Sequence, residues 1–419
     1  MIKLLIIADD FTGGLDTGVQ FASRGIPTCV ITKPDADYQA EAADCEVLVV
    51  VAETRHLPPA QAHGIVFAAA RKGVVLGIPH IYKKTDSALR GNIGAELSAV
   101  LEASGAELLP FLPALPAMNR VTRQGVHYID GQPVAESVFG RDPFEPVRES
   151  DVCRLIALQT DTPAVRASQT DLRDANGIAV LDAETNEDLL RAGRALAGLP
   201  EWRISAGCAG FAAMLPELLH LGRNQAPCLP KLDPGLFVLC GSVNPITQRQ
   251  LAWGEEHGFT RVHIAPGEKL DPGLYATPEG QAILEGWKKR MAECPRMILD
   301  ANDEDCSNKA TADEAARRGL TIEQVRQRIS ESLGIILSEL ADTPAKRTML
   351  ITGGDTLMKS MNRMNVYRMM PLIEVFPGVV LSRVALGSQS RFVITKSGGF
   401  GEETLLLNLK QLISGQSHD

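Results

Sequence analysis

No stretch of this 419-residue chain approaches the roughly 20 consecutive apolar residues of a membrane-spanning helix. The apolar opening, Lys3–Ala8, is too short for a secretion signal and runs straight into Asp9-Asp10. A cytoplasmic protein without membrane contact is expected. Long basic runs are missing as well: 42 Lys and Arg stand against 51 Asp and Glu, for a net charge of −9. A nucleic-acid partner, which needs concentrated cations, is therefore not expected. The eight cysteines form no CxxC pair and show no metal-ligand spacing to histidine, so they read as reduced core thiols rather than disulfides or zinc ligands. Two nucleotide signatures are also absent. There is no GxxxxGK[ST] for a P-loop, and no GxGxxG follows the first strand for a dinucleotide fold. Internal repeats and low-complexity tracts are lacking too.

The length exceeds the usual size of one core, so two domains are expected. The best linker is Gln225–Gly235 (QAPCLPKLDPG), where prolines and a glycine interrupt every periodicity, which gives domains 1–230 and 231–419. Before it, apolar runs of strand length (Lys3–Ala8, Pro27–Thr32, Val47–Ala52, His80–Lys84, Leu108–Leu112) alternate with helix-like segments near Thr17–Arg24, Pro59–Lys72 and Ala95–Ser104. Asn186 is placed as the cap of a helix to Ala197. After the linker, strands are expected at Leu236–Cys240, Arg296–Asp300, Thr348–Thr352 and Arg391–Lys396, with a long helix over Thr321–Leu340. The fold class is α/β: two α/β domains, each with a mostly parallel sheet flanked by helices.

The chemistry gathers at strand ends, where open α/β folds bind small molecules. The first strand ends in Asp9, Asp10 and Asp16 among glycines and hydroxyls. Three carboxylates there repel one another unless a metal ion, a substrate hydroxyl or a nearby cation compensates them. The complementary charges are Arg55, Lys83, Lys84 and Arg90. Such a pairing suits a small anionic, hydroxylated substrate. The plain alternative is a set of solvated ion pairs at loop ends. His56, His80 and His127 read as structural, and Cys208 as tight packing. In the second domain three strands end in small turns: Gly241-Ser242, Gly353-Gly354-Asp355-Thr356 and Ser397-Gly398-Gly399. Backbone N–H groups at such turns, backed by helix starts, can hold phosphates without basic residues. On these residues alone a Mg²⁺-dependent phosphatase and a sensor that binds without turnover both stay open.

The motifs ADDFTGGLDTG, KKTDSALRGNIGAEL, GSVNPITQRQ, TGGDT and TKSGGFG, in this order over essentially the whole chain, resemble the four-carbon acid sugar kinases. The resemblance implies an N-terminal domain for the sugar acid, a C-terminal domain for ATP, and Mg²⁺-dependent phosphorylation of the terminal hydroxyl of D-threonate, D-erythronate or a related acid. The segment DTGVQFASRG is most similar to the D-threonate kinases. Carried over residue by residue, the resemblance implies catalytic Asp9 and Asp10. It puts the acid on Arg55, Lys84, Asp86 and Arg90, and the nucleotide on Ser242, Gly353, Gly354, Asp355, Thr356 and Gly398. The metal ligands and the oligomeric state, a homodimer included, stay open. The polar stretch from Asp300 to Arg318 matches no motif of the family.

Overall fold

The structure, a computed structural model, describes residues 1–415 apart from 143–144, 169–171, 174, 201, 223–226, 342, 344–346, 387–388 and 397–398. It divides into two units, Met1–Pro227 and Cys228–Asp419. The first contains β1 (Leu4–Ala8), β2 (Thr28–Ile31), β3 (Val47–Val51), β4 (His80–Lys84), β5 (Leu108–Leu112), β6 (Arg120–Arg123), β7 (Val126–Ile129), β8 (Gln132–Pro133), β9 (Ala164–Ala167), β10 (Gly177–Leu181) and β11 (Ile204–Gly207). Eight of these form a parallel sheet in the order β2-β3-β1-β4-β11-β5-β10-β9, while β6, β7 and β8 make a separate antiparallel ladder. Every residue of β1, β2 and β3 is buried, because helices cover both faces and leave no solvated side to alternate with.

The first helix begins earlier than the sequence suggests, at Phe11 rather than Thr17. The Asp10 carboxylate accepts a hydrogen bond from the Gly13 N–H and caps the helix. Phe11, Leu15 and Val19 then face the core, which outweighs the poor helix propensity of Gly13 and Gly14. Similarly, Thr185 and not Asn186 is the cap of the helix Asn186–Ala197, in a reciprocal pair with Asp188.

The second unit contains β12 (Leu236–Cys240), β13 (Thr260–His263), β14 (Arg296–Asp300), β15 (Thr348–Thr352), β16 (Arg368–Phe376), β17 (Val379–Leu386) and β18 (Gln389–Lys396). Their order is β13-β14-β12-β15-β18-β17-β16; the first five run parallel, and β17 and β16 are antiparallel additions. The mostly parallel sheet is as expected. The pair β16 and β17 was not anticipated from the sequence; in β16 the apolar run is interrupted by Pro371, a residue that argues against a strand, and most of its positions are half-buried. Leu236, Val238, Ile298, Leu350 and Ile394 pack with Leu405 and Leu409 into one core on the face covered by the last helix, Leu405–Gly415.

Candidate active site

In the first unit β1 lies between β3 and β4, with Ala8 level with both Val51 and Lys84. The chain therefore turns to opposite sides of β1, and the segments that follow the three strands emerge together at their carboxyl ends. This edge carries the charges. Arg55 bonds Asp9 (Nε to Oδ2, 2.7 Å) and Asp10 (2.8 Å), and lies 3.7 Å from Asp86. Lys84 stands 3.7 Å from Asp9. Burial pushes the Asp9 carboxyl up, but Arg55, then Lys84 and Lys83, outweigh it and hold it down at about 2. Asp9 is thus a fixed anion, 2% exposed. Asp10 is the more open carboxylate, with a side chain 26% exposed. A Cβ at position 13 would displace Lys84 Nζ and Asp10 Oδ1, so the glycine leaves room for both charged groups. Asp16 lies further along the first helix, not at its start.

The loop after β4 supplies the other half. Arg90 forks onto Asp86 at 2.9 and 3.1 Å, which with Arg55 holds the Asp86 carboxyl well below its usual range despite burial. Asn92 fastens this loop to the one after β3, donating to the Thr54 and Leu57 carbonyls at 2.8 Å each. Lys83 is no solvated loop charge: it forms a buried pair with Glu96 at 2.8 Å. Sequence reasoning missed Glu96, which looks like an ordinary polar helix residue until the helix Ile93–Ser104 turns it inward. It also missed Arg120 and Phe139. Arg120 donates to Ser87 Oγ, and the guanidinium carbons of Arg90 and Arg120 lie 5.2 and 5.1 Å from the centre of the Phe139 ring. His127 is structural, as expected: its ring nitrogens meet Thr122 Oγ1 at 3.0 Å and the Ser87 carbonyl at 2.9 Å.

In the second unit the turns after β12 and β15 meet. A Cβ on Gly241 would collide with Thr356 Oγ1, and one on Gly353 would lie 3.7 Å from the Ser242 nitrogen. Gly353 has φ +108°, a conformation that side chains resist, and leads into the helix Gly354–Arg363. A second helix, Pro245–Glu256, starts beside it with Asn244 as cap. Two helix N-termini therefore converge on bare backbone. Asp355 is engaged elsewhere, by Arg326 at 2.6 Å. Gly399 lies by the Asn244 amide, whereas Gly398 falls outside the described residues. Lys396, at the end of β18, is a buried cation bonded to Thr247 Oγ1 at 3.0 Å; burial pulls its amine down to about 8. It opens the polar end of the TKSGGFG motif, where the glycines are the plainer sequence signal.

Next to Gly241 and Val243 opens a cavity of about 380 Å³, walled by Thr311, Ala312, Ala315 and Ile322. The stretch from Asp300 to Arg318 that matched no motif provides much of this wall. Its polar residues tie it down: Asn302 donates to the Ser242 carbonyl, and Asp303 receives Lys269 at 2.8 Å. Among the described residues no group of three or more His, Cys, Asp and Glu is placed to hold a metal ion, and no helix is long and apolar enough to cross a membrane. The cysteines are free thiols.

Comparison with known proteins agrees with this division. The sugar-binding N-terminal domain model matches residues 4–215, and the nucleotide-binding C-terminal domain model matches residues 237–406. D-threonate kinase of Salmonella typhimurium is 28% identical over 421 residues, covering 97% of each chain. 3-oxo-tetronate kinase of Pseudomonas fluorescens is 28% identical over 439 residues, covering 98% of this chain and 97% of that one. A crystal structure from Salmonella typhimurium LT2 superposes with a TM-score of 0.82 at 22% identity, covering 98% of this chain and 100% of the other, which speaks for the fold.

Proposed function

The chain belongs to the four-carbon acid sugar kinases, a family with a sugar-binding N-terminal and a nucleotide-binding C-terminal domain, and from this premise we propose that it transfers the γ-phosphoryl group of ATP to the C4 hydroxyl of D-threonate. One observation carries the reading: three carboxylates and three cations converge at the carboxyl ends of β1 and β4, with Asp10 left partly open. A site for anions alone gains nothing from carboxylates, whereas a hydroxyl that must lose a proton needs an acceptor beside it. Asp10 is that acceptor. Arg55, itself anchored on Asp9, and the Gly13 N–H hold it in place, so the hydroxyl is positioned before reaction.

The bare turns at Gly241-Ser242 and Gly353-Gly354 take the phosphates, with Thr356 behind them and Lys396 as the nearby cation. The adenine occupies the cavity walled by Ala312, Ala315 and Ile322, whose apolar lining suits a flat ring. Magnesium would come with the nucleotide, since among the described residues no cluster of side chains is placed to hold it alone. It would keep several waters, be carried by the phosphate oxygens of the nucleotide, and neutralise charge on the transferring group.

The test is a coupled ADP-release assay over D-threonate, D-erythronate and other four-carbon acids. D-threonate is expected to give the highest kcat/KM. A preference for D-erythronate would move the substrate within the class, and ester hydrolysis without ADP would replace the kinase by a phosphatase.

A further inference from the structure

A sugar-acid substrate, the reading on which the role of Arg120 rests, requires a cation for its carboxylate. Most cations of the site are already met within the protein. Arg55 is held by Asp9 and Asp10, Lys84 faces Asp9, and Arg90 forks onto Asp86 and reaches Asp142 at 3.5 Å. Arg120 differs. At the start of β6 it donates to the neutral Ser87 hydroxyl, and no carboxylate among the described residues forms an ion pair with it. Its guanidinium and that of Arg90 gather on the same ring, Phe139, and of the two it is Arg120, bonded to a hydroxyl alone, that keeps N–H groups for an incoming anion. Burial disfavours the charged guanidinium there and outweighs the pull of the nearby Asp86, with Arg90 adding to the burial effect.

The placement is fixed rather than incidental. Ser87, which receives Arg120, has its own carbonyl bonded to the buried His127. Ser87 also follows Asp86 directly in the loop that presents Arg90. A guanidinium braced by an aromatic ring and a fixed hydroxyl can offer its remaining N–H pair as a fork, the geometry that a carboxylate accepts.

We propose that Arg120 holds the carboxylate of the substrate and thereby sets the preference for a four-carbon acid over the neutral polyol of the same length. The experiment measures binding of D-threonate and of D-threitol by calorimetry to the full chain and to R120Q and R120K, followed by ADP release with D-threonate. R120Q should weaken D-threonate binding roughly 10- to 100-fold, the loss expected when a charged hydrogen-bond partner is removed. Threitol binding and the KM for ATP should stay within about twofold. R120K, which keeps the charge but not the fork, should recover only part of the acid preference. An unchanged ratio of D-threonate to threitol affinity in R120Q would overturn the assignment while leaving the kinase reading intact. Should R120Q fail to fold, as judged by circular dichroism, the same ratio in R120K decides the matter. If the unmutated chain binds D-threonate through Arg120 but releases no ADP, the kinase reading falls and the assignment of Arg120 stands. If it binds no four-carbon acid at all, both fall.

Discussion

At the scale of single residues the site depends on two neighbouring aspartates with different surroundings. Asp9 is sealed beneath Arg55 and Lys84, and its carboxyl is held at about 2, too acidic to serve as a ready proton acceptor. Asp10 shares Arg55 but faces outward and caps the first helix. D10N should therefore lower kcat by about 10²- to 10⁴-fold, the range for a general base, with the KM for ATP nearly unchanged. Steady-state kinetics check this, and a rise in the KM for ATP instead would move Asp10 to the nucleotide. Lys396 gives a prediction in pH. Its amine titrates at about 8, below the ordinary lysine value, so its charge is present below pH 8 and lost as pH rises through it. The KM for ATP should climb between pH 7 and 9, and K396M should be weak at both ends with a flat profile. A wild-type KM that stays level over this range would remove Lys396 from the phosphate site.

At the scale of elements, the ladder of β6 and β7 is pinned to the loop after β4 by His127, which is wholly buried. Burial holds its imidazole at about 4, below the 6.5 of a free side chain. Between these values the unfolded chain binds a proton that the folded chain refuses. Stability should thus fall as pH drops from 6.5 towards 4, by up to about 3 kcal/mol from this residue. Urea unfolding at pH 7 and pH 5 tests the sign: H127Q should lose less stability between the two than the unmutated protein. An equal loss in both would assign the acid sensitivity elsewhere.

At the scale of the whole molecule, the two units are distinct bodies with distinct ligands under the proposed function. Hydrogen exchange gives the check. An ATP analogue should protect amides in Gly241–Asn244 and Gly353–Thr356, and D-threonate those in Asp9–Gly14 and Thr85–Asn92. Ligand contact lowers exchange by stabilising the closed amide, by about 2.7 kcal/mol at a hundredfold excess over Kd. Nucleotide protection at Asp9–Gly14 instead would reverse the roles of the two units.

The sequence by itself determined the α/β class, the strand ends that carry Asp9, Lys84, Gly241 and Gly353, and the two kinds of site. Each is local: an apolar run followed by charge or glycine reports a buried strand and a functional turn wherever the chain goes next. Only the tertiary structure decided which charges meet. Arg55 reaches Asp9 across 46 positions, Lys396 reaches Thr247 across 149, and Arg120 is brought to the loop of Asp86 and Arg90 by an antiparallel ladder outside the main sheet. The wall of the apolar cavity was equally hidden, because Asp300 to Arg318 looks polar in sequence until one helix face turns inward. Ion pairing and burial depend on distances through space, which the spacing of residues along the chain does not encode.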